Sequence, residues 1–228
     1  MMISPSTFYM MQIDGKSAEE IKSNIRGLKR RINHLKRVLE HPNYTSTFHP
    51  SEDVQLWCNR EYLKVAIEAL KTMGEEYHPS KAEQKALEFN DNIPNISKID
   101  FHIGGFFGPC TDVTVVIDDR VHIYINDIES PATIPSEDYE EYTKEEFFRF
   151  FADLHMGEWS HSYDLFKYGC SVCDGTQWEL TIEYNNGRKP FKSSGDNAYP
   201  YNFKKFLDVI CLEDEYNDWY DDEDSKEE

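Results

Sequence analysis

Hydrophobic positions along this chain follow two periods, and the change from one to the other falls near residue 96. Ile21, Ile25, Leu28, Ile32, Leu35 and Leu39 recur at spacings that alternate between 4 and 3. That is a heptad seam, and it calls for a partner helix. Ser17-Ala-Glu-Glu20 has the form of a capping box, in which a serine hydroxyl and a glutamate satisfy the free amides of a helix start. Downstream of Ser51, a second capping residue, Leu56, Leu63, Ile67 and Leu70 form the facing stripe. The segment between them, HPNYTSTFHP, holds two prolines that stop one helix and start the next. The pattern predicts an antiparallel helical hairpin, 17–40 against 51–74, after an N-terminal segment 1–16. Residues 75–96 are expected to connect it onward, with a short helix from Ser80-Lys-Ala-Glu83 to about Phe89.

From Ile96 the apolar residues alternate with polar ones, the period of a half-buried strand. Ile99, Phe101 and Ile103 predict one strand, which ends at Gly104-Gly105. Val113, Val115 and Ile117 predict a second, Asp118-Asp119 a turn, and Val121, Ile123 and Ile125 the returning strand. Thr143 caps a helix, KEEFFRFFADLH, that is rich in phenylalanine on one side. Trp178, Leu180, Ile182 and Tyr184 alternate with Glu179, Thr181 and Glu183, and Asn186-Gly187 supplies the positive φ angles of a tight turn. Arg188 to Lys192 returns, and an aromatic helix runs from Tyr201 to about Cys211. A hairpin followed by a helix thus occurs twice. The expected class is α+β: a helical hairpin over 17–74, then a domain over 97–212 with an antiparallel sheet, helices on one face and two ββα-like units. The acidic tail is 213–228.

Charge changes this picture. The chain carries 43 acidic and 24 basic residues, a net charge of −19. Such a surface repels nucleic acid and anionic membrane and steers basic partners toward it. Carboxylates cluster at Asp118-Asp119, at Glu137, Asp138, Glu140 and Glu141, and in the tail, where Trp219 offers an aromatic anchor. Residues 16–40 go the other way, with eight Lys or Arg against three Glu. Arg26, Arg30 and Arg37 are its candidate contacts. Direct contact with nucleic acid is expected only through this helix. No stretch approaches the roughly 20 apolar residues of a membrane span, and the start MMISPSTFYMMQIDG lacks the basic and apolar regions of a signal peptide. Five scattered cysteines read as free thiols of a cytoplasmic chain, in whatever cell it acts.

Candidate chemistry is thin. Cys170-Ser-Val-Cys173 is a single C-x-x-C, whereas a structural zinc site needs four ligands. His155 and His161 are the nearest histidines to complete one, a weak candidate set. GGFFGPC beside Cys110, with His102 or His122 as base, has the parts of a thiol site but reads first as loop chemistry. No phosphate-binding loop, dinucleotide fingerprint or hydrolase elbow occurs. No cofactor and no catalytic residue is assigned.

Asp174-Gly175-Thr-Gln-Trp178, Gly187 and Gly195-Asp-Asn-Ala-Tyr-Pro200 with Phe203 resemble a segment of a bacterial family, many of whose members come from Gram-positive species and their mobile elements. The resemblance spans about the last quarter of the ordered chain and brings no settled activity and no catalytic residues. It implies a bacterial or phage origin. Taken together, these features predict a non-enzymatic acidic protein that engages a basic, nucleic-acid-binding partner. An inhibitor of a defence enzyme, such as a CRISPR or restriction nuclease, is one form of it. The alternatives are a small metallo- or thiol-dependent enzyme built on Cys170 and Cys173, and a module that self-assembles through the helical hairpin.

Overall fold

The seam of the first long helix is buried from Ile21 to Leu35, and Leu39 at its end is half-buried. In the computed structural model, which describes residues 2–46, 48–105, 110–127, 142–170 and 175–212, α2 spans Ala18–Leu39. Its Ile21, Ile25, Leu28, Ile32 and Leu35 are all buried. The Ser17–Glu20 capping box is formed in both directions. α3, Glu52–Thr72, packs along α2. Its buried side is set by Leu56, Cys58, Asn59, Tyr62, Ala66, Ala69 and Leu70, while Leu63 and Ile67 are only partly buried. The inward face is therefore rotated from the Leu56–Leu63–Ile67–Leu70 stripe toward Tyr62, Ala66 and Ala69. A helix absent from the sequence reading, α1 (Pro5–Gln12), adds Phe8, stacked on Tyr62 with ring centroids 4.4 Å apart.

The chain divides after Ser80 into two compact units, each with its own core. The second begins with α4, Lys81–Asp91, and contains a six-stranded sheet in the order β3-β2-β1-β5-β6-β4. Its strands are β1 (Ile96–Gly105), β2 (Cys110–Ile117), β3 (Val121–Asp127), β4 (Ser162–Asp164), β5 (Thr176–Tyr184) and β6 (Phe191–Asp196). Every pairing is antiparallel except β4 with β6. The fold is α+β, with α5 (Lys144–Asp153) and α6 (Phe203–Val209) serving the core side of the sheet. Phe147, Phe151 and Phe206 are fully buried there beside Ile99, Val115, Trp178 and Ile182. Burial alternates along β2 and β5, so each strand gives one face to the core and the other to solvent.

Several boundaries differ from the expectation. The return strand β6 starts at Phe191, three residues after Arg188, because Pro190 has no N–H to give to a ladder. The β2–β3 connection holds three residues, Asp118 to Arg120, closed by the Asp118 N–H on the Arg120 carbonyl at 3.1 Å. α6 ends at Val209 rather than near Cys211, whose φ of 60° breaks the helix. The short edge strand β4 was not foreseen.

Candidate functional surfaces

Alternation places a row of polar side chains on the sheet face opposite the core. Strand register aligns Asp112 on β2, His102 on β1 and Glu179 on β5 across three adjacent strands. His102 Nδ1 lies 2.7 Å from Asp112 Oδ1, and both side chains are about half exposed. The next row sets Asp100 between Thr114 and Thr181, with the Thr114 hydroxyl donating to Asp100 at 3.1 Å. Lys98 bridges to Asp100 at 2.8 Å and stands beside Glu183 on β5. Glu179, Glu183 and Asp196 are exposed. Five carboxylates thus share this face with Lys98 and Lys192 as the lysines, and cross-strand neighbours at this spacing act together.

At the end of β2, Asp118 accepts the Arg120 N–H at 2.9 Å, and this bond holds its carboxyl below the usual range. Its carbonyl accepts from Lys144 at 2.7 Å. Asp119 is exposed. Glu137, Asp138, Glu140, Glu141 and Trp219 lie outside the described residues.

The second charged surface is on the helical unit. Residues 1–80 hold eleven Lys and Arg against ten Asp and Glu, so the unit is nearly neutral, and its cations are gathered on α2. Lys22, Arg26, Lys29, Arg30 and Asn33 line one wall of a cleft of about 740 Å³, and Glu75, Glu76, Tyr77 and His78 line the other. Lys22 bridges to Glu75 at 2.9 Å and Glu19 at 3.2 Å, and the bond to Glu75 raises its pKa above the ordinary lysine value. Lys29 Nζ donates to the Tyr77 hydroxyl at 3.3 Å and sits 5.6 Å from the ring centroid. Arg37 is exposed, and its Nε donates to the Asn33 carbonyl.

The proposed metal ligands are not brought into a described cluster. His161 Nδ1 is 3.0 Å from the Lys192 carbonyl at the sheet edge, and His155 occupies a left-handed turn with φ 51°. Cys170 follows a 3-10 turn closed by Gly169, and Cys173 lies outside the described residues. Among the described residues no three His, Cys, Asp or Glu side chains gather as metal ligands. Cys110 and His102 do share the open sheet face, with the Cys110 sulfur packed over Gly104.

The segment that carries the family resemblance performs a structural task. Asn197, at φ 49°, accepts the Thr176 N–H through Oδ1 at 2.8 Å and donates its own N–H to the Thr176 carbonyl at 2.9 Å. Gly175 leaves room for the Asn197 amide, and Gly195 for the Trp178 indole. The motif thus locks the open end of the β5–β6 hairpin and holds Glu179 and Asp196 in register. Among the described residues no helix is long and apolar enough to cross a membrane. Compared with protein-family models, curated proteins and solved structures, the chain has no match in any of the three.

Proposed function

We propose that this is a binding protein without catalytic activity of its own, which engages a basic partner through an acidic surface. The observation that carries the reading is the open sheet face, where Asp100, Asp112, Glu179, Glu183 and Asp196 stand on four adjacent strands. A rigid sheet presents these charges at fixed spacing, so little entropy is lost when a partner docks. The partner that suits such an array is a protein whose own surface is built for phosphates, and an inhibitor of a restriction or CRISPR nuclease is the form that the acidic composition favours. The carboxylates at 137–141 and in the tail extend the reading from sequence alone.

Capture of partners from a bacterial lysate at low salt, followed by a salt titration, tests it. The expected partner elutes as salt rises and is not captured by Asp100→Lys/Glu179→Lys/Glu183→Lys. A partner that stays bound at about 1 M salt, where charges act over roughly 3 Å, overturns it.

Cys110, His102 and Asp112 on one face favour a second reading, a thiol-based activity, in which His102 is oriented by Asp112 and the thiol is the nucleophile. Alkylation of Cys110 that is fast near neutral pH and slowed by His102→Asn would favour it over the binding reading.

A further inference from the structure

The two helices of the hairpin treat their surface charges differently. On α3 the exposed lysines are compensated along the helix: Lys64 pairs with Glu61 at 2.7 Å and Lys71 with Glu68 at 3.9 Å. On α2, residues 21–39 contain seven Lys or Arg and no Asp or Glu. Among the described residues the side chains of Arg26, Arg30 and Arg31 have no hydrogen bond or ion pair. Arg26 and Arg30 are four apart on one side of the helix, where like charges repel each other. Neither is needed for packing, because both are exposed and the seam is filled by the apolar residues between them. A solvated helix face gains nothing from this arrangement, whereas an anionic ligand removes the repulsion.

We propose that the α2 cleft binds single-stranded nucleic acid through its phosphates, a role separate from that of the acidic sheet face. Successive helical turns raise Arg26 and Arg30 about 6 Å apart along the axis, comparable to adjacent phosphates on one strand. The guanidinium fork suits phosphate oxygens. Asn33 continues the row on the same wall, and Arg37 follows a turn later. Lys22 is neutralised by Glu75 and Glu19, so the positive field begins at Arg26. Glu76 also lines the cleft, an exposed carboxylate that the cations of the α2 wall outnumber. His78 gives the opposite wall an exposed ring, the stacking component that strand-binding grooves combine with cations, beside Tyr77, whose ring Lys29 covers. A cleft of about 740 Å³ has room for a few nucleotides of a strand.

The test is fluorescence anisotropy of the full chain with labelled single-stranded DNA and RNA of about a dozen nucleotides, at low and rising salt. The expected result is salt-sensitive binding to at least one strand that weakens at least tenfold in Arg26→Glu/Arg30→Glu, with the melting temperature unchanged. Losing two phosphate contacts should lower the slope of log K against log salt by about 1.4, at about 0.7 per contact. Absence of binding to both strands at low salt overturns the proposal, as does full binding by the double variant. Equal competition by a poly-glutamate peptide of matched charge also overturns it and points to an acidic protein ligand. None of these failures touches the capture experiment on the sheet face, whose variants lie on other strands.

Discussion

The Trp178 indole lies across Gly195, its register partner on β6, and donates its Nε1–H to the Ala198 carbonyl at 3.0 Å. A methyl group at 195 would enter both the indole and that carbonyl. Gly195→Ala should destabilise the sheet unit by about 1–3 kcal/mol, the usual result of overpacking. Urea denaturation followed by tryptophan fluorescence measures this. A change within about 0.5 kcal/mol, the scale of an inert surface substitution, would show that the strands separate freely at this point.

Asn202 is a buried polar residue with two tasks. Its Oδ1 accepts the Trp159 indole N–H at 2.9 Å, and its amide donates to the Leu154 carbonyl. Asn202→Ala leaves a buried donor and a buried acceptor without partners, at about 1–3 kcal/mol each. A loss of about 2–5 kcal/mol in denaturant melts is expected. Asn202→Asp, which keeps an acceptor for Trp159 but sets a buried carboxylate against the Leu154 carbonyl, should cost at least as much.

The pH dependence has a defined sign at each end. The Ser17 N–H and hydroxyl hold Glu20 below the ordinary carboxylate value, and the Thr143 hydroxyl and N–H do the same for Glu146. A depressed folded pKa contributes stability above the unfolded value, near 4.5, and loses it as pH falls through the folded value. Lys22, raised by Glu75, contributes below about 10.5 and loses its contribution as pH rises through its folded value. Glu20→Gln/Glu146→Gln should therefore flatten the acid limb of a melting profile and leave the alkaline limb alone. An acid limb of unchanged slope would remove the capping boxes from the account.

Metal content is a separate question. Protein purified without a polyhistidine tag should contain no stoichiometric zinc, and chelator should leave its melting temperature unchanged. One zinc per chain, lost in Cys173→Ser, would restore the metal reading of Cys170, Cys173, His155 and His161.

Periodicity disclosed most of the framework because a buried seam or a half-buried strand writes its own spacing. The α2 seam, the capping boxes at Ser17 and Thr143, and the alternation of β1, β2, β3 and β5 are all present in the fold. What escaped was set by contacts distant in sequence. α1 is short, and its packing rests on Phe8 meeting Tyr62, which no local pattern announces. β4 has three residues and exists through its parallel partner β6. The row of Asp112, His102 and Glu179 depends on register between three strands, so residues 102, 112 and 179 share no recognisable spacing. The basic cleft was half legible: its arginines stand out in the sequence, but Tyr77 and His78 join them only through the fold.

The middle of the sheet carries a cost during synthesis. β1 is flanked by β2, which follows it at once, and by β5, which begins at Thr176. At about 5–20 residues per second, some seventy residues must be made before β5 emerges, roughly 4–15 s. Until then the β3-β2-β1 meander holds one long strand, Ile96–Gly105, with its edge unpaired and Ile99, Phe101 and Ile103 uncovered. An open edge of that length invites pairing with another nascent chain. Lys98 and Asp100, with His102 alternating after them on the same strand, are the polar and charged side chains that discourage such pairing while the ribosome finishes the other half.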